Sequence, residues 1–295
     1  MKVFNFGSIN IDMVYRVPHL VQPGETLSSR SLETVLGGKG ANQSVALARA
    51  GIDVRHIGRI GKSDQWAAEQ MQAAGVDMQG VESVDGPSGH AIIQVDDSGE
   101  NSIILHGGAN QSFDRGVLEQ RLSEAAPGDW LLMQNECNDI AEAFEIARQR
   151  QMSIAFNPAP MTAAVRQLPL AQCDVLIVNE TEAADLAETD DPDEALAILA
   201  QRYPDTRLVL TLGSRGALLQ YEGQQVSEAA VPVDVVDTTG AGDTFVGYFL
   251  AGLMQGLAER DALQRACRAA ALSVTVAGAT PSIPTLAEVD STQDD

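Results

Sequence analysis

DVLIVNETEAADLAETDDPDEALAILAQRYPDTRLVLTL, residues 174–212, contains two short apolar runs separated by a segment of helical character. The runs are Asp174–Asn179 and Arg207–Leu212, and each is apolar over almost its whole length. Such runs are typical of strands that are covered on both faces. Short strands that alternate with amphipathic helices predict an α/β fold, in which a mainly parallel central sheet carries helices on both faces.

The same alternation extends through most of the chain. Three further apolar runs are predicted as strands of the same sheet: Val3–Gly7, Trp130–Asn135 and Ile154–Asn157. Polar side chains close or follow several of the predicted strands, namely Glu136, Asn157 and Asn179. Because ligands bind at the carboxyl ends of the strands in open α/β sheets, these side chains mark the predicted functional edge.

Two segments, residues 11–35 and 88–106, depart from this alternation. Both read as short strands without intervening helices, and Asp97–Glu100 has the composition of a hairpin turn. We expect the two segments to form a small β-sheet that covers the functional edge as a lid. The alternative is a pair of edge hairpins with no gating role.

The composition is that of a globular protein. The chain has 295 residues, of which 44% are hydrophobic, and we expect a single α/β domain over residues 1–295. Its three cysteines form neither a disulfide framework nor a CxxC motif, which favours a reducing compartment. The N-terminus lacks a secretory apolar segment, and no apolar run approaches the ~20 residues that span a bilayer. A cytoplasmic protein without membrane contact is therefore expected.

The chain is strongly acidic, with a formal net charge of -22. It repels nucleic acids and anionic membranes, so a nucleic-acid partner is not expected. The only lysines are Lys2, Lys39 and Lys62. Backbone dipoles, a few cations and Mg²⁺ would therefore have to bind any anionic ligand. The acidic composition suggests a salty cytoplasm, and compositional drift would explain it equally well.

The strongest local motif is DTTGAGDT, residues 237–244. Apolar residues follow it at helical spacing: Val246, Phe249, Leu250 and Leu253. A helix is thus predicted to begin near Gly242, and its unpaired first-turn N–H groups would attract an anion. This arrangement suits a phosphoryl group with Asp243 beside it. A motif of this kind in isolation could equally be an ordinary helix start with an acidic residue near the positive end of the dipole.

A second motif, GGKGANQ at residues 37–43, also precedes a predicted helix. Two glycines, a cation and an amide at a helix start suit the recognition of a polyhydroxyl ligand. Read alone, the segment is equally consistent with a flexible turn.

The segment GRIGKS, residues 58–63, resembles the end of a phosphate-binding P-loop. A P-loop requires glycine five residues before Gly61, and this chain has His56 there. The match therefore fails, and Lys62 is predicted to be a solvated loop residue.

A third motif, Asn179-Glu180-Thr181-Glu182, closes a predicted strand. An amide and a carboxylate three residues apart can hold hydrated Mg²⁺, which needs few protein ligands. The alternative is a helix cap, with Asn179 as the N-cap and Glu182 at the third helical position.

Together these motifs resemble the PfkB-type carbohydrate kinase family, and within it the ribokinases. The resemblance runs from GSINID at residues 7–12 to GATPS at residues 278–282, nearly the whole chain. Residues 37–43 resemble the sugar-side motif of the family, and residues 237–243 resemble its phosphate-side motif. The resemblance implies a ribokinase-like fold and phosphorylation of a small sugar by ATP, with D-ribose converted to ribose 5-phosphate as the leading expectation.

The resemblance also implies roles for individual residues. Asp243 would be the general base and would contact the sugar, and the backbone of Gly240, Ala241 and Gly242 would form an anion hole. The other implied sugar ligands are Asn10, Asp12, Gly38, Lys39, Asn42 and Glu136. The implied ATP-site residues are Asn179, Thr211, Gly213, Gly242 and Cys267.

Two ions and an assembly are implied as well. Glu182 would organise Mg²⁺ through water. An activating K⁺ would be held by the positions that match the cation site of the family, which are Asp237, Thr239, Ser273, Val276, Gly278 and Ser282. Such kinases are typically homodimers joined through the β lid.

The chain departs from the family pattern at three places. Cys267 falls where a small or polar residue is expected beside the adenine pocket. His90 stands in the lid where similar kinases carry Thr, and His106-Gly107-Gly108 replaces an apolar-Pro-Gly sequence. The last two differences leave the sugar preference open, or both histidines are simply surface residues of the lid.

Three other functions compete with this interpretation. A related kinase could act on fructose, deoxyribose or a nucleoside, although 4% aromatic residues give little reason to expect base stacking. A non-catalytic sugar or nucleotide sensor would not need the intact base in Gly240–Asp243. An NAD-linked dehydrogenase would carry a glycine fingerprint after the first strand, where this chain reads Gly7-Ser8-Ile9-Asn10.

Overall fold

The fold is built on thirteen strands within residues 1–291, the part of the chain that the computed structural model describes. The strands are Val3–Phe6 (β1), Asn10–Arg16 (β2), Ser31–Gly37 (β3), Val54–Gly61 (β4), Asp77–Val84 (β5), Gly89–Val95 (β6), Asn101–His106 (β7), Trp130–Gln134 (β8), Ser153–Asn157 (β9), Val175–Asn179 (β10), Arg207–Thr211 (β11), Ala217–Tyr221 (β12) and Gln224–Glu228 (β13).

A large sheet of nine of these described strands has the order β13-β12-β11-β10-β9-β8-β1-β4-β5. The strands from β11 to β5 are parallel to one another. At one edge, β12 and β13 continue the sheet in antiparallel fashion. The parallel strands therefore bring their carboxyl ends to one edge, as the sequence predicted.

The helices are Lys39–Arg49 (α1), Gln65–Ala73 (α2), Arg115–Arg121 (α3), Ile140–Gln149 (α4), Glu180–Ala187 (α5), Pro192–Arg202 (α6), Ala241–Met254 (α7), Glu259–Ser273 (α8), Ala279–Ser282 (α9) and Leu286–Ser291 (α10). They cover both faces of the large sheet. One apolar core lies under α1, α2, α7 and α8, and the other lies under α3 to α6. None of the described helices is long and apolar enough to cross a membrane.

Strand β1 shows how the sequence separates the two cores. Val3 belongs to the core under α1, whereas Phe4 and Phe6 belong to the opposite core, because successive side chains of a strand point to opposite faces. Burying a side chain such as Phe4 contributes about 1.5–3 kcal/mol. Asn5 points to the α1 side, where it is fully buried despite its polar amide.

Helix α1 begins and ends at glycines. Gly38 precedes it with φ 94°, and a Cβ there would lie 2.9 Å from the backbone nitrogen of Asn10. Gly51 follows its end with φ 86°, a conformation that glycine adopts without strain. The GGKGANQ motif thus forms the start of a helix that packs closely on the first strand.

A second, smaller sheet has the order β3-β2-β6-β7. Strands β2 and β6 are parallel, and each has an antiparallel partner on its outer side. The backbone N–H groups of Ser98 and Glu100 donate to the Asp96 carboxylate, which closes the predicted hairpin between β6 and β7. The small sheet predicted from residues 11–35 and 88–106 is confirmed, and its closure over the large sheet stays a prediction.

Candidate active site

The site lies where the carboxyl ends of the parallel strands meet the first turns of α1 and α7. Asp243 occupies the first turn of α7 and is 8% exposed. Its Oδ2 accepts a hydrogen bond of 2.9 Å from Asn42 Nδ2, and its Oδ1 accepts one of 2.9 Å from Gln43 Nε2. Both donors belong to the GGKGANQ motif, so the two predicted motifs meet at one carboxylate.

The turn before α7 leaves backbone donors free. Gly240 has φ 77°, in the left-handed region that glycine tolerates. Ala241 N–H donates to Thr238 O at 3.3 Å, whereas the N–H groups of Gly240, Gly242 and Asp243 have no acceptor in the described part of the chain. Of the three predicted donors of the anion hole, Ala241 N–H is already hydrogen-bonded within the turn. The N–H group of Asp243, which was not predicted, is a further candidate donor.

Glu136, which follows β8, anchors the start of α1. Its Oε2 accepts hydrogen bonds from the Lys39 backbone N–H at 3.0 Å and from the hydroxyl of Ser8. Burial raises the pKa of Glu136, and the Lys39 ammonium opposes that rise. A buried carboxylate at a helix start interacts favourably with the helix dipole.

Asp12, on β2, is the least paired acid in the site. Its carboxylate has no hydrogen-bond partner among residues 1–291, and burial, with the charge of Glu136, raises its pKa to about 6. A Cβ on Gly37 would lie 2.0 Å from Asp12 Oδ2, so that glycine leaves room for the carboxylate. Asp12 is therefore available to accept hydrogen bonds from a ligand.

Lys39 is the cation of the site. Its pKa is raised above the ordinary value chiefly by Asp243, and Glu136 and Glu182 add to that effect against the opposing effect of burial. The ammonium therefore stays charged among three carboxylates. It partly neutralises a pocket that would otherwise repel a nucleotide.

Asn10 and Asn42 are held by neighbouring polar groups. Asn10 Oδ1 accepts a hydrogen bond of 2.7 Å from Asn110 Nδ2, and Asn110 also pairs with both backbone groups of Ile9. Asn42 Oδ1 accepts from Thr280 Oγ1 at 2.9 Å. The amide nitrogen of Asn42 therefore faces Asp243, and the short polar side chains are fixed before any ligand binds.

Asn179 and Glu182 form a complete capping box at the start of α5. Asn179 Oδ1 accepts from Glu182 N–H at 2.8 Å, and Asn179 N–H donates to Glu182 Oε2 at 3.0 Å. The helix cap that the sequence offered as the alternative for this motif is therefore present. Burial raises the pKa of Glu182, and the carboxylate interacts electrostatically with Lys39 in the site.

The predicted ATP-site residues lie along the more open half of the edge. Asn179 ends β10, Thr211 ends β11, and Gly213 follows with φ 57° and no atom within 4 Å of where a Cβ would be. Cys267 lies in α8 and is only 6% exposed. Burial raises the pKa of its thiol to about 12, so the cysteine side chain is neutral.

Asp237 joins the loop before α7 to the loop after α8. One carboxylate oxygen accepts from Thr239 N–H and Thr239 Oγ1, and the other accepts from Gly278 N–H at 2.8 Å. Burial acts to raise the pKa of Asp237, but these hydrogen bonds outweigh it and hold the pKa below its ordinary value. The residues predicted to hold K⁺ thus include an ionised carboxylate that links their two loops.

The whole chain matches a family model. Residues 1–286 match the model described as pfkB family carbohydrate kinase. The chain belongs to the pfkB family of carbohydrate kinases.

Individual relatives agree over nearly their full length. A ribokinase from Haemophilus influenzae is 37% identical over 292 residues, which cover 96% of this chain and 95% of that protein. The structure of a Cryptococcus neoformans ribokinase in complex with ADP has a TM-score of 0.88 and 36% identity, and the match covers 99% of this chain and 98% of that one. An Arabidopsis thaliana ribokinase complexed with ribose and ATP has a TM-score of 0.88 and 30% identity over 98% of this chain and 97% of that one.

The pfkB motifs explain most of the cluster, and the structure adds two residues that the sequence did not assign. Gln43 donates to Asp243, and Asn110 holds Asn10. Asn110 is 1% exposed and Gln43 is fully buried. Gln43 and Asn110 both follow glycine-rich turns, where polar residues are usually solvated. Composition alone therefore could not distinguish them from ordinary loop residues. The histidines of the small sheet, His90 and His106, pair across β6 and β7 with ring centroids 5.0 Å apart.

The chemistry of the donor sets fits the two ions that the pfkB family implies. Glu182 is a buried carboxylate that already holds its cap through Asn179, and Mg²⁺ bound chiefly by water and substrate phosphates needs one such group. No cluster of three His, Cys, Asp or Glu residues that could hold a metal occurs among residues 1–291. Asp237 and the adjoining backbone supply the hard oxygen ligands that suit K⁺.

Proposed function

We propose that this chain transfers the γ-phosphoryl group of ATP to the O5 hydroxyl of ribose. The observation that carries the proposal is the Asp243 carboxylate, which is buried at the start of α7 beside free backbone N–H groups. Its relatives named ribokinase support the choice of sugar and nucleotide.

Asp243 acts as the general base. The sugar hydroxyl gives its proton to Asp243 as its oxygen attacks the γ-phosphorus, and the bond from the γ-phosphorus to the bridging oxygen breaks, so that ADP leaves. The N–H groups of Gly240, Gly242 and Asp243 stabilise the charge on the phosphoryl oxygens. Phosphoryl transfer depends mainly on such positioning and electrostatics.

The sugar is bound by short polar side chains. Asn10, Asp12, Lys39, Asn42 and Glu136 exchange hydrogen bonds with the ring hydroxyls. Glu136 also fixes the turn that carries Lys39 and Asn42. Buried hydrogen-bonding groups strongly penalise an analogue that leaves them unpaired. The site therefore prefers ribose over fructose, deoxyribose and nucleosides.

Two ions support the reaction. Glu182 holds Mg²⁺ through water, and the ion supplies charge neutralisation to the phosphates when it is bound. The oxygens of Asp237, Thr239, Ser273, Val276, Gly278 and Ser282 would hold K⁺. A cation bound there would supply positive charge that orders the loop behind the anion hole.

The small sheet serves as lid and dimer interface. Its outer strand β7 is exposed along its whole length, and Ile103, Ile104 and Leu105 are 56%, 62% and 50% exposed. A second copy of the chain covers this apolar strand in a homodimer. The three cysteines, none of which is in a disulfide, fit a cytoplasmic enzyme.

A substrate panel tests the proposal. ADP production is measured with ribose, 2-deoxyribose, fructose and adenosine in the presence of Mg²⁺ and K⁺, and the product is assigned by NMR. We expect the highest kcat/KM with ribose and a phosphate on O5. A higher kcat/KM with any of the other three acceptors overturns the choice of substrate, and no ADP with any acceptor overturns the kinase assignment.

A further inference from the structure

A row of polar side chains crosses four neighbouring strands beneath α1. Asn157, Gln134, Asn5 and His56 lie on β9, β8, β1 and β4, which are adjacent in the sheet. Each is buried, and all four point to the same side as the apolar core under α1. Such groups are expensive to bury, and an apolar side chain at each position would fill the space without that cost.

The direction of the hydrogen bonds in this row is fixed at one end. Gly7 O can only accept, so His56 Nε2, 3.1 Å away, carries the proton. Burial lowers the pKa of His56 to about 4, so the ring is neutral and its Nδ1 accepts from the Ser44 hydroxyl at 2.8 Å. Ser44 Oγ in turn accepts from Asn5 Nδ2 at 2.8 Å.

The row continues to the active site, but the direction of donation reverses at Gln134, whose Nε2 donates both to Asn5 and to Gln43. Asn5 Oδ1 and Gln43 Oε1 both accept from Gln134 Nε2, at 3.0 and 2.7 Å. The carbonyl of Gln43 is thereby engaged, and its Nε2 must face the other way, towards Asp243 Oδ1 at 2.9 Å and Asn157 Oδ1 at 3.2 Å. Gln134 Oε1 has no partner in the described part of the chain, a cost that an apolar core would avoid.

We propose that this row, from Gly7 O to Gln43, fixes the amide of Gln43 so that its N–H group holds Asp243 Oδ1. Oδ2, which accepts one hydrogen bond from Asn42, keeps a second lone pair to take the proton of the substrate. Gln43 is then a positioning residue for the reaction, acting through Asp243. The inference rests on the proposed role of Asp243 as the general base. A flipped amide would place Gln43 Oε1 against the carboxylate, and the row prevents that flip.

Three charged groups also interact electrostatically with Asp243. They are Lys39 on α1, Glu136 after β8 and Glu182 on α5. These groups stay in place when Gln43 is changed. A change in pH dependence in a Gln43 variant can therefore be assigned to the lost hydrogen bond.

The test compares four variants of the full chain with the wild type. Gln43→Met removes the amide at similar length, and Gln43→Glu places a second carboxylate against Asp243. Thr206→Val is the matched control, because it also deletes a buried hydrogen bond, to Cys173 O at 2.8 Å, but at the opposite end of the sheet. Asp243→Asn tests the proposed base itself. Single-turnover rates across pH, ligand affinities by calorimetry and melting temperatures are measured for each.

We expect Gln43→Met to lower kcat by about 10- to 100-fold, as a misplaced catalytic group does, while both dissociation constants stay within about threefold. Loss of a hydrogen bond to the ionised carboxylate disfavours that form, so the acid limb of the kcat/KM profile moves to higher pH, and further in Gln43→Glu. Thr206→Val is expected to lower the melting temperature without moving the profile.

Two results separate the inference from the proposed function. If Asp243→Asn is inactive but Gln43→Met keeps the wild-type rate and pH profile, the base assignment stands and the positioning role is overturned. An active Asp243→Asn overturns the proposed function. Should Gln43→Met not fold, Gln134→Met removes the donor to Gln43 Oε1 and is expected to shift the acid limb in the same direction by a smaller amount; an unmoved limb there overturns the inference.

Discussion

The proposed sugar half and the proposed nucleotide half of the site are built differently. On the proposed sugar side, Asn10, Asn42 and Asp243 are 4%, 5% and 8% exposed and are hydrogen-bonded to other side chains. On the proposed nucleotide side, Asn179 is exposed, and no atom lies within 4 Å of the place where a Cβ of Gly213 would be. The first half is pre-organised by side chains, whereas the second offers backbone groups and open space. Specificity is therefore expected to reside in the sugar half.

The largest effect is expected at Asp243, which lies between the proposed sugar half and the proposed nucleotide half. We expect Asp243→Asn to lower kcat by about 10²–10⁴-fold, equivalent to about 3–5 kcal/mol of barrier, because Asn keeps the shape but cannot accept the proton. Single-turnover kinetics measures the rate, and calorimetry should show both substrates still bound. Near-normal turnover would mean that Asp243 is only a charge at the helix start.

Lys39 tests whether the sugar half is distinct in binding. We expect Lys39→Ala to weaken sugar affinity by about 10- to 100-fold, since a hydrogen bond to a charged group is lost, and to weaken ATP affinity less. Lys62→Ala is the matched control, because Lys62 is 66% exposed and pairs only with Asp85 among the described residues. Isothermal titration gives both affinities. A larger loss for ATP than for sugar would assign the GGKGANQ turn to the nucleotide half.

Potassium tests the proposed nucleotide half, because we expect a bound K⁺ to order the loop before α7. We expect K⁺ to raise kcat about fivefold or more over Na⁺, a typical size for coupling between two sites. Asp237→Asn should remove the difference, because Asp237 links the two loops around that ion. Rates are measured in K⁺, Na⁺ and a bulky organic cation at equal ionic strength. Equal wild-type rates in all three would contradict the proposed ion site.

Asp12 gives the effect that depends on pH. Its pKa of about 6 lies above the ordinary 3.8, so the folded chain binds the proton more tightly, and the contribution of Asp12 to stability declines as pH rises from about 4 to about 6. If the sugar requires the ionised carboxylate, affinity has the opposite slope and falls about tenfold from pH 7 to pH 5.

Calorimetric titrations at several pH values measure this dependence. Asp12→Asn should bind sugar more weakly at pH 7 and with a flatter pH profile. Glu136, whose pKa is also raised, remains in that variant as an internal control. A wild-type affinity that does not change between pH 5 and pH 7 would exclude Asp12 as an ionised sugar ligand.

The five predicted strands and the helix near Gly242 could be derived from the sequence because their signal is local. The structure confirms the strands to within one residue at each end and starts α7 at Ala241. The family resemblance and the fold class are also confirmed. By contrast, the contact of Gln43 with Asp243 joins residues 200 positions apart, and only the packing of α1 against α7 creates it.

The polar row had a sequence signal that was weak but readable. Asn5 interrupts the otherwise apolar strand Val3–Phe6, and His56 is a fully buried polar residue in Val54–Gly61, a strand that also contains Arg55 and Arg59. An isolated polar residue in a buried strand implies a partner, but it does not say which one. The capping box at Asn179 shows a second limit of sequence interpretation. The same four residues predicted both a helix cap, which the structure contains, and an ion site, which stays a proposal.

The start of α1 is hydrogen-bonded to the end of β8 and to α9. Lys39 N–H donates to Glu136, Gln43 accepts from Gln134, and Asn42 accepts from Thr280. Changes within one hydrogen-bond network do not add, so the effects of single substitutions at residues 37–43 would not predict the effects of combinations. New sugar specificities are therefore better sought in the small sheet around His90, whose side chain is bonded to the nearby Ser88 carbonyl, than in the helix turn.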